Sequence, residues 1–207
     1  MLYVTDERSP AGVLHQVSRR GDYSLSDLPL SDAALQAASL LREMSVPAPA
    51  AIRSGREDIE TMRQTMQARR GVVDARQRHW VDAALSRLDS LATGVAATLV
   101  HGDLHYENVL HGERRPWLAI DPKPVASDPE RGLAELLFTR VDELSNDAAI
   151  RDLLGFIVEA GHLRSDRAEV WAFVRTVDYW LWGVAHGLTA DPARCERVVL
   201  ALQPLLR

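Results

Sequence analysis

Hydrophobic residues recur at the spacing of an α-helix over most of the chain. After Ser31-Asp32, which we expect to cap the first helix, apolar side chains follow at helical spacing as far as Met44. Pro47 and Pro49 end this helix, because proline cannot continue one. The same spacing predicts six further helices, at about residues 55–70, 74–92, 131–143, 147–161, 165–187 and 190–206.

The middle of the chain departs from this helical pattern. Residues 95–100 form a short apolar run that is typical of a strand. Val109-Leu110-His111 and Trp117-Leu118-Ala119-Ile120 predict a β-hairpin that turns through Gly112 to Pro116. The sequence therefore predicts an α+β fold that is mostly α, with a small central β-hairpin.

The length of 207 residues suits one sizeable domain. We expect residues 1–30 to form a strand at Leu2–Val4 followed by a hinge or linker, and residues 31–207 to form the single domain. No apolar run reaches the roughly 20 residues of a membrane span, and Asp6, Glu7 and Arg8 do not fit a secretory signal. The only cysteine, Cys195, excludes an internal disulfide. These features predict a cytoplasmic protein with no membrane partner.

The charged residues narrow the chemistry further. The formal net charge of −5 argues against a nucleic-acid partner, which usually needs a basic surface. The chain has 24 lysine and arginine residues, and Lys123 is the only lysine. Any mechanism that requires a particular lysine must therefore use Lys123.

A dense polar segment surrounds the predicted hairpin. Asn108 precedes the outgoing strand and Asp121 follows the returning one. Paired strands lie roughly 5 Å apart, so we expect these two residues to be neighbours. An amide oxygen and a carboxylate are hard ligands that suit Mg²⁺.

The segment before Asn108 adds a candidate base. Asp103 follows His101-Gly102 and precedes Asn108 by five residues, so it should lie at the rim of the predicted metal site. A free carboxylate there can accept a proton from an attacking hydroxyl group. A loop aspartate, an asparagine five residues later and a second aspartate on the metal are what phosphoryl transfer requires.

Two other interpretations of this segment remain open. His101, Asp103 and His105 alternate, so on an extended strand they could bind zinc, with only the distant His162 and His186 as further candidates. The segment could also be purely structural, although clustered polar groups carry an electrostatic cost.

His101-Gly-Asp-Leu-His-x-x-Asn108 and Trp117-Leu-Ala-Ile-Asp-Pro-Lys123 resemble the aminoglycoside phosphotransferases, in particular the streptomycin 6-kinase and hydroxyurea-kinase branch. The resemblance covers most of the chain from Ser31 onwards. It implies the C-terminal lobe of a protein-kinase-like fold, and transfer of a phosphoryl group from ATP, with Mg²⁺, to a hydroxyl of a small antibiotic.

The resemblance also implies roles for single residues. Asp103 would be the catalytic base, and Asn108 and Asp121 would be the metal ligands. His105 and Lys123 would contact the phosphates, whereas His101 would brace the loop. Glu135, Asp142, Glu143 and Asp178 are candidates for holding a cationic acceptor. Trp171, Phe173, Tyr179, Trp180 and Trp182 are expected to pack in the core, with one or two of them facing the acceptor pocket.

The chain departs from the family pattern at two places. Gly132 stands where the family has an aspartate that braces the catalytic loop, so Glu130 or Glu135 is expected to supply that support. No lysine precedes Lys123, so we expect the nucleotide-gripping N-terminal lobe to be missing. The alternative function is therefore a catalytically silent domain that binds a cationic small molecule or a partner protein. An exposed lobe interface would also favour a homodimer.

Overall fold

The computed structural model describes residues 2–4, 13–15, 23–112 and 115–206. The described residues form seven α-helices: α1 (Leu30–Met44), α2 (Gly55–Arg69), α3 (Arg78–Ala92), α4 (Leu133–Phe138), α5 (Asp147–Gly161), α6 (Ser165–Ala185) and α7 (Ala190–Leu202). They also form six short strands: β1 (Leu2–Val4), β2 (Val13–His15), β3 (Thr98–Val100), β4 (Val109–His111), β5 (Trp117–Ala119) and β6 (Val125–Ser127). The prediction of a mostly α fold with a central hairpin is confirmed.

The strands form three antiparallel pairs. β4 pairs with β5, with Val109 opposite Ala119, as the sequence predicted. β3 pairs with β6, with Thr98 opposite Ser127. The strand β6 was not predicted, because its residues are all buried and show no alternation between apolar and polar positions. The middle of the chain therefore carries two small β elements rather than one.

The N-terminal strand β1 lies where the sequence predicted it and pairs with β2, which was not predicted. The rest of the predicted hinge up to residue 22 lies outside the described residues. The backbone carbonyl of Tyr23 accepts a hydrogen bond from the backbone N–H of His111 at 2.8 Å, so the chain at Tyr23 runs along the edge of the central hairpin.

The beginning of α1 differs from the prediction. The helix begins at Leu30 with Pro29 at the N-cap, and Ser31 and Asp32 lie inside its first turn without capping it. The backbone angles of Pro29 are those of an extended residue, so the chain enters the helix directly after it. By contrast, α2 has a full capping box, in which Ser54 and Glu57 each bind the other's backbone N–H.

Helix α6 forms the centre of the hydrophobic core. Trp171, Phe173 and Trp180 are fully buried, as predicted. Trp80 of α3 packs edge-on against Trp180, with ring centres 5.3 Å apart. Edge-to-face aromatic packing of this kind adds to the free energy gained by burying the rings. The packing of these side chains in the core therefore holds α6 rigidly in place.

The predicted helix over 131–143 ends earlier than expected. Helix α4 ends at Phe138, and a separate short turn covers Val141–Glu143. No helix of the described residues is long and apolar enough to cross a membrane.

Candidate active site

The central hairpin brings Asn108 and Asp121 to one end of the paired strands. Ile120 donates its backbone N–H to the carbonyl of Asn108 at 2.8 Å, which continues the β4–β5 register by one residue beyond the strands. Asp121 is the next residue after Ile120. The two residues are therefore neighbours along the backbone of the hairpin, and their role as metal ligands stays a prediction.

The local geometry of these two residues suits a hard cation. The Asn108 side chain donates its amide N–H to the carbonyl of Asp103 at 2.9 Å, which leaves the amide oxygen free of that bond. Asp121 is exposed and has φ of 54°, a left-handed conformation that costs roughly 1–2 kcal/mol for most residues. Strain of this kind is often kept at functional sites. An amide oxygen and a carboxylate fit Mg²⁺ better than zinc.

The alternative zinc site is not supported. Within the ranges described above, no three His, Cys, Asp or Glu side chains are grouped in a way that could hold a metal ion. His101 is also turned inward, because its Nδ1 accepts a hydrogen bond from the backbone N–H of Asp103 at 3.4 Å. The alternative interpretation of His101, Asp103 and His105 as a zinc site therefore has no support among the described residues.

His101 holds the loop that carries Asp103. Its side chain is buried, and burial lowers the pKa of the imidazole, although the backbone of Ile120 and the charge of Asp103 oppose this. A neutral imidazole can accept the hydrogen bond from Asp103. His101 therefore braces the loop from the inside, as the resemblance implied.

Asp103 forms an ion pair with the only lysine of the chain. The Nζ atom of Lys123 lies 2.7 Å from Oδ2 of Asp103. The hydrogen bond to Asp103 raises the pKa of Lys123, and the charges of Asp103, Asp121 and Glu135 add to this effect against a smaller opposing effect of burial. The lysine therefore lies among three carboxylates and is held in its charged form.

A tight backbone contact fixes this pair. Lys123 donates its backbone N–H to the carbonyl of His101 at 2.8 Å. Gly102 has φ of 80°, and a Cβ atom there would lie 2.0 Å from the carbonyl oxygen of Lys123. Only glycine combines this conformation with so close an approach. The sequence around Asp103 therefore needs Gly102 for the two segments to cross.

A cavity of about 710 Å³ opens beside this loop. Asp103, His105 and Lys123 line one end of it, and residues of α2, α4, α6 and α7 form the other walls. Ligand sites of drug-sized molecules have volumes of roughly 300–1,000 Å³. The cavity is therefore large enough for a small hydroxylated acceptor next to the proposed base.

The four carboxylates predicted to hold an acceptor are all engaged by arginines, and Glu143 binds Arg140 at 2.5 Å outside the cavity wall. Glu135 and Asp178 line the cavity, and Arg175 binds both, at 2.7 Å and 2.8 Å. Burial raises the pKa of Asp178 despite the attraction of Arg175. Asp142 is not part of the cavity wall and binds Arg194 at 2.6 Å. Two of the four residues thus line the cavity as expected, but none of the four is a free carboxylate.

A buried ion pair behind the loop was missed at the sequence level. Asp58 of α2 is buried and binds Nε of Arg131 at 2.6 Å and Arg53 at 2.5 Å. Burial lowers the pKa of Arg131, against the attraction of Asp58. Asp58 and Arg131 are 73 residues apart, and no local pattern signals such a pair.

Arg131 also explains how the loop is supported without the family's aspartate. Its Nη1 atom lies 3.6 Å from the point where a Cβ of Gly102 would stand. Glu130 was expected to take over this support, but it accepts the backbone N–H of Arg164 at 2.8 Å instead. Glu135 is bound to Arg175. The arginine that precedes Gly132 therefore packs against the loop.

Aromatic rings form part of the cavity wall. Phe138, Tyr179 and Trp182 line it, and the three rings are stacked in that order with centres 4.7 Å and 5.4 Å apart. Tyr179 also donates its hydroxyl to Asp191 at 3.0 Å. The expectation that one or two of the aromatic residues of α6 face the pocket is confirmed for Tyr179 and Trp182.

Comparison with known sequences gives matches over most of the chain. The family described as aminoglycoside/hydroxyurea antibiotic resistance kinase matches residues 4–187. The chain is 33% identical over 192 residues to streptomycin 6-kinase of Streptomyces griseus, covering 89% of this chain and 62% of the relative. It is 37% identical over 170 residues to hydroxyurea phosphotransferase of Kitasatospora aureofaciens, covering 81% of this chain and 47% of the relative. The chain thus spans less than two thirds of these relatives.

Solved structures show the same fold at lower sequence identity. A thermostable mutant of aminoglycoside phosphotransferase APH(4)-Ia has a TM-score of 0.64 and 20% identity, over 90% of this chain and 70% of that protein. Choline kinase LicA from Streptococcus pneumoniae has a TM-score of 0.63 and 18% identity, over 99% of this chain and 74% of that protein. The expectation of a kinase-like fold is confirmed.

Proposed function

Because the chain belongs to the aminoglycoside/hydroxyurea antibiotic resistance kinase family, we propose that it transfers the γ-phosphoryl group of ATP to a hydroxyl of an aminoglycoside-type antibiotic such as streptomycin. The observation that supports this proposal is that Asp103 lines a cavity of suitable size and accepts, at its backbone carbonyl, a hydrogen bond from the side chain of Asn108, whose own carbonyl is hydrogen-bonded to the residue before Asp121. This arrangement agrees with the requirements of phosphoryl transfer, in which positioning and charge stabilisation supply most of the rate.

Asp103 is the proposed base. The acceptor hydroxyl oxygen forms a bond to the γ-phosphorus, the bond from that phosphorus to the bridging oxygen breaks, and ADP leaves. The hydroxyl proton passes to the carboxylate of Asp103, which lines the cavity and is partly accessible. Asn108 and Asp121 would hold Mg²⁺, which neutralises phosphate charge when bound.

His105 and Lys123 are the proposed phosphate contacts of this chain. Both line the same end of the cavity as Asp103. Lysine offers a compact charge with three rotatable donors, which suits contact with phosphate oxygens. His105 stands two residues after the proposed base and offers a neutral or charged donor there.

The acceptor would lie against α4 and α6. Glu135 and Asp178 belong to this wall through their shared partner Arg175, and Asp142 stays outside it. We therefore assign Glu135 and Asp178 to the acceptor side of the site and give Asp142 no contact with the acceptor.

The second candidate function is a silent domain that binds a cationic small molecule or a partner protein. It is favoured by the ion pair between Lys123 and Asp103, which occupies one oxygen of the proposed base. We also propose a cytoplasmic location and self-association of the chain as a homodimer. Light scattering after size exclusion that shows a monomer at high concentration would exclude the dimer.

One titration separates the two candidate functions. Calorimetry and ADP-release assays with ATP, Mg²⁺ and streptomycin should show turnover that falls roughly 10²–10⁴-fold in Asp103→Asn. The matched control is Asp166→Asn, an exposed aspartate that pairs with Arg164 far from the cavity and should leave turnover unchanged. Streptomycin binding without nucleotide binding or turnover would instead support the silent domain, and equal loss in both variants would argue against Asp103 as the base.

A further inference from the structure

We infer that Lys123 is a positioning residue whose ammonium passes from Asp103 to a phosphate group when the phosphoryl donor binds. This inference rests on the proposed function and goes beyond a simple phosphate contact. Lys123 donates to Oδ2 of Asp103 at 2.7 Å, so one oxygen of the proposed base is occupied by the chain itself.

The two partners differ in their freedom to move. The Lys123 side chain is 68% exposed, whereas that of Asp103 is 23% exposed. The backbone of Lys123 is held by its bond to the carbonyl of His101 and by its contact with Gly102. The main chains of both residues are therefore held by hydrogen bonds, and the more exposed lysine side chain has the greater freedom to swing.

The position of Lys123 suits such a movement. It stands two residues after Asp121 and lines the cavity together with Asp103. Its ammonium is attracted by Asp121 and Glu135 as well as by Asp103. A triphosphate bound to a Mg²⁺ ion that Asn108 and Asp121 would hold would bring further negative charge to this point, and a flexible ammonium can follow it at little cost.

Two arginines of the cavity wall already bind carboxylates. Arg131 is buried and bound to Asp58, and Arg175 bridges Glu135 and Asp178. Moving Arg175 would leave the buried carboxylate of Glu135 and that of Asp178 without their arginine, and moving Arg131 would break a buried pair and leave Asp58 with only the half-exposed Arg53. Lys123 breaks only an ion pair that is open to solvent, and since it is the only lysine, no other ammonium of a side chain can replace it.

The movement of the Lys123 ammonium from Asp103 to a phosphate, which we call the handover, predicts that the donor and the acceptor bind cooperatively. While Lys123 occupies Oδ2, Asp103 offers the acceptor hydroxyl only its other oxygen. A donor that draws Lys123 away frees the carboxylate, so donor and acceptor should bind more tightly together than alone. By linkage, each ligand must strengthen the other by the same factor.

The single lysine allows this to be observed directly. Reductive methylation with ¹³C-formaldehyde labels the ε-amine of Lys123 and the α-amine, so the lysine gives one dimethyl resonance. We expect Asp103→Asn to shift this resonance and Asp166→Asn to leave it unchanged. We further expect Mg²⁺ with ATP, or pyrophosphate alone, to shift it in the wild-type chain. The inference is overturned if the Lys123 resonance does not shift in Asp103→Asn. It is also overturned if the resonance shifts neither with Mg²⁺ and ATP nor with pyrophosphate.

A second measurement tests the coupling. Streptomycin affinity measured by calorimetry should rise at least about fivefold when Mg²⁺ and ADP are present. In Lys123→Met this gain should disappear, and Lys123→Arg should keep part of it. Circular dichroism would check that both variants fold, and Arg115→Met, which removes an exposed ion pair with Glu43, is the control. A gain that persists in Lys123→Met would refute the handover.

The outcomes also separate this inference from the proposed function. If ATP neither binds nor turns over, but pyrophosphate shifts the Lys123 resonance, the proposed kinase activity fails and the handover stands. If turnover occurs and depends on Asp103, but the resonance does not respond to either phosphate probe, the kinase proposal stands and the handover fails.

Discussion

Asp128 binds the guanidinium of Arg167 in the interior of the molecule. One carboxylate oxygen of Asp128 accepts hydrogen bonds from Nε of Arg167 at 2.8 Å and from the indole of Trp171 at 2.7 Å, and the other accepts the backbone N–H of Ala96 at 2.9 Å. Arg167 in turn donates to the carbonyl of Leu91 at 2.7 Å. The pair therefore ties β6, α6 and the end of α3 together behind the candidate site.

The first prediction is that Asp128→Asn destabilises the fold strongly. The change keeps the shape of the side chain but leaves the Arg167 charge buried without its counter-charge, which costs about 3–5 kcal/mol. The free energy of unfolding from urea titration measures this loss. Asp166→Asn, on the same helix as Arg167 but largely exposed, removes a surface ion pair with Arg164 and a charge in the first turn of α6, so it should give only a small loss. Similar losses in both variants would contradict the importance of burial here.

The second prediction concerns Gly102. In Gly102→Ala, the new methyl group adds a clash with the Lys123 carbonyl to the cost of a left-handed conformation. We expect a loss of about 2–5 kcal/mol, the sum of a left-handed cost of roughly 1–2 and a packing cost of roughly 1–3. The control is Gly94→Ala, where φ is 66° and a Cβ meets nothing within 4 Å, so only the conformational cost of roughly 1–2 kcal/mol applies.

Urea titration measures both glycine variants, and phosphoryl-transfer assays add a second readout. Gly102→Ala should also lower turnover, because the loop of Asp103 must shift. Gly94→Ala should not. Equal destabilisation of the two variants would mean that the close approach of Lys123 to Gly102 carries no energetic weight.

The sequence predicted those parts of the site that depend on short-range geometry. Asn108 and Asp121 are joined by one hairpin, so strand spacing alone places them side by side. Asp58 and Arg131 are 73 residues apart, and Glu135 and Arg175 are 40 residues apart. Only the packing of α2, α4 and α6 brings these pairs together, so the sequence left Glu135 and Asp178 as free carboxylates.

The third prediction is that Asp121→Asn weakens Mg²⁺ binding without weakening the fold. Asparagine tolerates the left-handed conformation observed at φ of 54°, but it removes the only charged oxygen of the proposed ligand pair. We expect the Mg²⁺ concentration that gives half-maximal nucleotide binding to rise at least roughly tenfold, as ligand-sphere changes usually cause. Calorimetry with ADP at several Mg²⁺ concentrations measures it.

Asp121→Ala supplies the complementary test. Alanine lacks both the oxygen and the tolerance of left-handed angles, so this variant should lose Mg²⁺ binding and also roughly 1–2 kcal/mol of stability. If Asp121→Asn binds Mg²⁺ and nucleotide as well as the wild type does, Asp121 is not a ligand of the metal.

The last prediction concerns pH. Burial lowers the pKa of His101 below its ordinary value of about 6.5. At mildly acid pH the unfolded chain therefore binds a proton at this histidine that the folded chain does not bind. The free energy of unfolding has its full value above about pH 6.5 and decreases as the pH drops towards the pKa of His101 in the folded state. Protonation would also remove the acceptor that holds the N–H of Asp103. Urea titrations at several pH values between about 7.5 and 5 would measure the free energy of unfolding. It should decrease less with falling pH in His101→Gln than in the wild type, whereas the control His186→Gln, at an exposed position, should show the wild-type decrease.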